Sequence, residues 1–274
     1  MTGATSGVGR ALATALAGCG AQVVILARDA ERGRRAAAEI GLLSGRPAEV
    51  IVGDLADLRS VERAASDFRR RWDRLDVLAH VAGVVAWKRL LSVDGFELTF
   101  ATNLLGPALL TRRLLDLLER SAPARVVAVS GGLSVLQRAR LDMDDLPYQR
   151  RRFGALSTAV EVMLARVLYI LELARRLEGR GVTANAFYPG LVRSSLDRGL
   201  PLLLRLPVRL VQPFLRPTSP TAVRAAAAPD LVGVSGAFLS ARRVRSFHNR
   251  NLASGGSERL WSMIERLVET TRPG

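Results

Sequence analysis

Cysteine is almost absent: Cys19 stands alone, so no internal disulfide can form and nothing in the chain resembles a metal site. Aromatic residues make up 5% of the chain and never interleave with a basic cluster, which removes the stacking platform that single-stranded nucleic acid needs. No run of about twenty uninterrupted apolar residues occurs, so no membrane-crossing helix is expected. A glycine loop begins at residue 2, which leaves no room for a signal peptide ahead of it and makes a cytoplasmic location the expectation.

Lysine is nearly missing as well. Of 40 basic residues, Lys88 is the one lysine and the other 39 are arginine; with 25 acidic residues the formal net charge is +15. A charge of that size ordinarily raises nucleic acid or an anionic membrane as partner. Here the arginines are scattered over most of the predicted helices, a pattern of GC-rich coding bias rather than of a built patch. Nucleic acid is therefore not an expected partner.

What the chain does have is alternation. Thr2-Gly3-Ala4-Thr5-Ser6-Gly7-Val8-Gly9 runs at once into the helix-forming Arg10 to Ala17. Glycines there permit tight turns and close approach of a ligand to the backbone. A helix start adds free N–H groups and a partial positive charge, and a pyrophosphate suits both. Buried-strand patterns then recur at 22–27, 48–55, 75–83, 125–130 and 182–187, with a late short one at 236–239. Helical segments at 30–40, 60–72, 95–118, 156–177 and 258–270 separate them. Strand and helix in turn predict an α/β fold built on a doubly wound parallel sheet. At 274 residues and 49% hydrophobic content, one domain spanning the whole chain is expected.

In order and spacing the chain resembles a short-chain dehydrogenase/reductase of the retinol-dehydrogenase-like branch. The resemblance rests on the TGxxxGxG loop at 2–9, on Asp54-Leu55 after the third strand pattern, on Asp94 to Asn103, and on Pro189-Gly190-Leu191-Val192-Arg193-Ser194. It implies a Rossmann-like fold and a nicotinamide cofactor. Gly3, Thr5, Ser6, Gly7 and Gly9 would cradle the diphosphate. Asp54 would meet the adenine amino group, Leu55 its ring, and Ala82 and Gly83 the adenosine side. Pro189, Gly190 and Ser194 would lie toward the nicotinamide. Arg28 stands where an acidic residue would select NAD(H), so NADP(H) is the expected cofactor.

The catalytic pattern of the resembled family does not carry over. A tyrosine acts there as general acid, and a lysine four residues later lowers the tyrosine's pKa. A serine polarises the carbonyl, and an asparagine supports a water relay. Alignment from the helix and from Pro189-Gly190 puts Ala159 at the tyrosine position, Met163 at the lysine position and Gly131 at the serine position. Asn103 alone persists, with Ser130 as a weak substitute donor. Tyr148 and Arg152 have a YxxxR spacing but fall in a Pro- and Arg-rich stretch expected to be an exposed loop. His80 is expected to be a packed strand-end residue.

The apolar stretch at about 196–217 corresponds to a variable substrate lid and suggests a hydrophobic small-molecule ligand, or a surface that touches membrane or a partner, with simple core packing as the alternative. Its prolines argue against a continuous membrane-surface helix, and a homo-oligomer is compatible with the family. The resemblance also places a strand of about five or six residues before the glycine loop. Here Met1 stands where that strand would end, so the given chain is expected to be truncated at its start.

Overall fold

The computed structural model describes residues 1–146, 148, 152–190, 192, 215, 218–240 and 243–269. Ser194, and all of the 196–217 stretch but residue 215, lie outside them. From the N-terminus the elements are α1 (Gly7–Gly18), β1 (Val24–Ala27), α2 (Ala30–Ser44), β2 (Glu49–Val52), α3 (Leu58–Arg71) and β3 (Val77–His80). There follow α4 (Leu98–Phe100), a π turn at Ala101–Leu105, α5 (Gly106–Arg120), β4 (Ala124–Val129), α6 (Leu133–Arg138), α7 (Ala155–Arg176) and β5 (Val182–Tyr188). The chain closes with α8 (Pro220–Ala227), β6 (Phe238–Ser240), β7 (Arg243–Arg245), α9 (Arg250–Ala253) and α10 (Gly256–Glu269). No helix among the described residues is long and apolar enough to cross a membrane.

The strands pair in parallel as β1 with β2, and as β3, β4, β5 and β6 in that order; β7 alone runs antiparallel, on the outer edge of β6. That edge carries exposed Arg243 and Arg245, charges that discourage edge-to-edge association. Met1 and Thr2 occupy the slot between β1 and β3. Thr2 forms parallel bridges to both Leu26 and His80. Its N–H donates to the Ala79 carbonyl at 2.9 Å, and the Met1 carbonyl accepts from the Leu26 N–H at 2.8 Å. The Thr2 hydroxyl also accepts from the Val81 and Ala82 N–H groups, each at 3.2 Å.

Helices cover both faces of the sheet, as parallel strands require. The largest core lies between the sheet and α3, α5 and α7, with Val126, Ala128, Leu109, Leu118, Val162, Leu168 and Ile170 among its buried members. α10 packs on α7, stacking Trp261 on Tyr169 at 5.1 Å between ring centroids. On the opposite face Leu12, Val127, Phe187 and α8 residues form a second cluster. A smaller, alanine-rich third cluster joins α1, α2 and β1. Outside, arginines pair with acids on neighbouring helices, as Arg113 does with Glu62 at 2.6 Å and Arg112 with Glu265 at 3.1 Å. These half-buried pairs account for part of the scattered charge.

The helix expected over 95–118 is interrupted for a local reason. Pro107 has no N–H to donate to the Asn103 carbonyl four residues earlier, and a proline ring crowds that carbonyl. The wider π turn at Ala101–Leu105 lies directly before it. Gly106 then lets α5 sit directly on the chain after β2: a Cβ there would fall 2.2 Å from the Leu55 carbonyl oxygen.

Two outcomes follow. Gly106→Ala is expected to lower stability by about 1–3 kcal/mol through that clash. Gly18→Ala, whose Cβ would meet nothing nearer than the Ser44 Cβ at 4.0 Å, is expected to be neutral or to gain up to about 1 kcal/mol; chemical denaturation compares the two. Separately, burial first and the Arg166 charge second hold the His80 imidazole down at about 3. Its folded pKa lies below the unfolded value near 6.5, so the unfolded chain takes the proton first. Stability is then full above pH 6.5 and falls as pH drops toward 3. His80→Asn should remove about 1.4 kcal/mol of the loss between pH 7.5 and 5.5, read as the difference between the two denaturation profiles.

Candidate functional site

Every described strand of the parallel set ends at one edge of the sheet, and a cavity of about 590 Å³ lies there. In open α/β sheets the carboxyl ends of the strands are where ligands bind. The sides come from successive loops. Gly3, Thr5, Ser6, Gly7 and Gly9 form one wall, Arg28, Asp29 and Arg32 a second, and Gly53, Asp54 and Leu55 a third. Val81 to Val85 and Thr102 line the middle, and Val129, Ser130, Gly131, Met163, Tyr188, Pro189, Gly190 and Val192 the far end. Twelve of the residues expected to touch cofactor thus share one cavity.

The glycine loop is shaped by contacts that no side chain would survive. A Cβ on Gly3, at φ +75°, would fall 2.5 Å from the Ala82 nitrogen, and one on Gly9 would fall 2.2 Å from the Gly3 carbonyl oxygen. Ser6 is the residue before α1, yet its side chain makes no capping bond. The first-turn N–H groups of α1 therefore face the cavity without a side-chain cap. A helix start with open N–H groups and a hydroxyl beside it is a donor set that fits a diphosphate.

At the end of β1, Arg28 and Arg32 flank the cavity, and neither forms an ion pair among the described residues. Asp29, the acid next to Arg28, instead caps α2 by accepting from the Arg32 N–H at 2.7 Å. Its charge is thereby directed to the helix start, where a carboxylate is stabilised. Two unengaged guanidiniums suit a phosphate monoester. Asp54 takes part in the turn after β2: its Oδ1 accepts from the Ala56 N–H at 3.0 Å.

The far end is apolar. Met163 and Ala159 lie one turn apart on α7, Ala159 buried and Met163 in the cavity wall. A Cβ placed on Gly131 would sit 3.7 Å from the Met163 sulfur, so positions 131 and 163 face each other. Ser130 and Tyr188 are the polar exceptions among the described residues, and the Ser130 hydroxyl is buried, lines the cavity and has no hydrogen-bond partner among the described residues.

Asn103 is fully engaged. Its Oδ1 accepts from the Val84 N–H and its Nδ2 donates to the Val84 carbonyl, both at 2.8 Å. The side chain holds the 82–85 loop and is not directed at the cavity. His80 packs as expected. Its Nε2 lies 2.7 Å from the Thr111 hydroxyl, which donates to the Pro107 carbonyl at 2.9 Å, so Nε2 carries the proton. Tyr148 corrects an expectation: far from being an exposed loop residue, it is 2% exposed, with its ring edge-on to Phe100 at 6.5 Å. Its apolar ring outweighs the polar stretch around it, at the expense of a φ of 59°. Arg152, by contrast, is exposed.

One residue escaped sequence reasoning altogether. Arg166, on α7, is 2% exposed. Its Nε donates to the Asn103 carbonyl at 2.6 Å, Nη1 to Val129 at 3.0 Å and Nη2 to Ala82 at 3.0 Å. The first acceptor is the carbonyl that Pro107 cannot serve. A lone arginine inside the apolar run Met163 to Leu171 was the available signal.

The comparisons with known proteins agree with this geometry. A family model described as short chain dehydrogenase matches residues 1–141. Retinol dehydrogenase 12 of Mus musculus is 38% identical over 98% of this chain and 85% of its own length. A crystal structure of a protein from Mycobacterium paratuberculosis superposes with a TM-score of 0.75 at 30% identity, over 100% of this chain and 93% of that one. The Pseudomonas aeruginosa RhlG/NADP active-site complex does so with a TM-score of 0.64 at 25% identity, over 87% and 92%. On sequence and fold alike, the chain belongs to the short-chain dehydrogenase family, in its retinol-dehydrogenase-like branch.

Proposed function

We propose that this protein binds NADP(H) across the carboxyl edge of its sheet and takes a hydrophobic small molecule carrying a carbonyl or alcohol at the apolar end. The observation that carries the reading is the pairing of an uncapped helix start after the glycine loop with two unengaged arginines at the end of β1. In this reading Gly3, Thr5, Ser6, Gly7 and Gly9 hold the diphosphate, and Arg28 with Arg32 holds the 2′-phosphate. Asp54 and Leu55 hold the adenine, Ala82 and Gly83 the adenosine side. Pro189 and Gly190, with Ser194 beyond the described residues, border the nicotinamide. NADPH, when bound, supplies a hydride.

The chain's own groups would do little of the remaining chemistry. Alanine at 159 has no proton to give, and methionine at 163 cannot be cationic. Ser130, buried and without a partner among the described residues, is a hydroxyl at that end able to donate to a carbonyl oxygen, and Tyr188 brings a second hydroxyl-bearing side chain to the same wall. General acid–base groups are typically worth about 10²–10⁴ in rate. A pocket without them is slow by that factor. Asn103 contributes by fixing the 82–85 loop through both bonds to Val84. The apolar facing pair Gly131 and Met163 favours a second reading: the scaffold binds ligand without hydride transfer, as a non-redox biosynthetic enzyme or a regulatory homologue.

Titration by NADPH fluorescence tests the cofactor reading. Binding of NADPH should exceed that of NADH, and Arg28→Ala should cost on the order of tenfold to a hundredfold for NADPH, as loss of a charged hydrogen bond does, while leaving NADH nearly unchanged. No NADPH binding overturns the reading. Turnover on apolar aldehydes and ketones should be very low in the natural chain. Installing Ala159→Tyr, Met163→Lys and Gly131→Ser together should raise it by at least about 10²; efficient turnover without them, or no gain with them, would contradict the degenerate acid–base set.

A further inference from the structure

We propose that Arg166 is a positioning and specificity residue that makes this pocket discriminate by the charge of the nicotinamide ring, holding reduced NADPH in preference to oxidised NADP⁺. The proposal rests on the cofactor reading above and concerns how that same site sorts the two redox forms.

The geometry carries it. Arg166 is buried behind the middle and far end of the cavity, and its three nitrogens donate to the carbonyls of Ala82, Asn103 and Val129. Two of those acceptors, Ala82 and Val129, are cavity-wall residues. Met163, three positions earlier on α7 and so on the same helical face, forms the wall itself. The guanidinium thus lies one layer behind the end of the cavity away from Arg28 and Asp54.

No carboxylate among the described residues pairs with it; its partners are neutral carbonyls, one on each of its three nitrogens, which leave its unit charge in place. Burial lowers the guanidinium to about 10, far above neutrality, so the charge persists. His80, which feels that charge, stays uncharged and supplies no compensation. A buried charge with no partner acts over longer distances than a solvated one, because little water intervenes.

NADPH and NADP⁺ share both ribose groups, the diphosphate, the 2′-phosphate and the adenine. They differ in the ring: the dihydronicotinamide is neutral and the nicotinamide of NADP⁺ carries a positive charge. A fixed cation behind that end repels the second and not the first. Two unit charges about 10 Å apart at an effective dielectric near 20 change an equilibrium constant by roughly an order of magnitude.

Isothermal titration calorimetry of the intact chain with each dinucleotide reads the effect as the ratio of Kd for NADP⁺ to Kd for NADPH. The natural chain should give a ratio of about ten or more. Arg166→Gln, and Arg166→Met as a second neutral variant, should bring the ratio several-fold closer to one, while Arg166→Lys keeps it. A role confined to holding the fold would weaken both dinucleotides together and leave the ratio unmoved. A ratio near one in the natural chain overturns the proposal without any variant, and so does an unchanged ratio in a folded neutral variant. Binding of both dinucleotides with no Arg166-dependent ratio leaves the cofactor reading intact and removes this one; binding of neither removes both.

Discussion

The arrangement at the carboxyl edge depends on a single guanidinium. Arg166 gathers the carbonyl two residues beyond β3, the one that ends β4 and the one that the π turn leaves open. Those three backbone segments come from positions far apart in the chain, and each feeds a loop of the cavity. An arginine suits the task because its planar fork presents several donors in fixed directions and is more weakly hydrated than an ammonium. The cost of burying its charge is offset by three hydrogen bonds to a charged donor, a class stronger than neutral ones. Pro107 and Arg166 form a matched pair in this sense: one withholds a donor from Asn103, and the other supplies it.

Much of the fold was legible before the coordinates. Parallel strands buried on both faces leave short β-branched runs, and helices leave longer amphipathic ones, so the order of β1 to β5 and of the main helices could be read directly. The glycine loop was legible because Gly3 and Gly9 sit where any side chain would strike backbone. Arg28 and Asp54 were singled out by what the resemblance implies for residues at strand ends. What was hidden depends on tertiary contact. The π turn is set by a proline two residues beyond its end, and α6, α8 and β7 are short elements stabilised by what they pack on. Tyr148 sits in a polar stretch, but its ring finds Phe100. Arg166 was hidden because composition makes arginine the background of this chain, and one among 39 draws no attention until its burial is known.

In the proposed reading the family's fold and its catalytic groups separate. Loop, sheet edge and cavity are retained because backbone geometry creates them. Ala159, buried on α7, and Met163, one turn on and in the cavity wall, take the proposed proton-handling positions without interrupting the helix. Membership in a family of oxidoreductases therefore constrains the shape of the site more tightly than its chemistry.

The position of the cavity across the sheet has a thermodynamic consequence. β1, β2, α1 and α2 enclose their own alanine-rich cluster, β3 and its neighbours form a second unit on which Leu12 of α1 also packs, and the cavity is lined from both sides. A molecule seated there touches both units at once and is bound only when they are docked. Its binding free energy is then added to the coupling between them, so occupancy of the site makes the two units unfold more nearly as one.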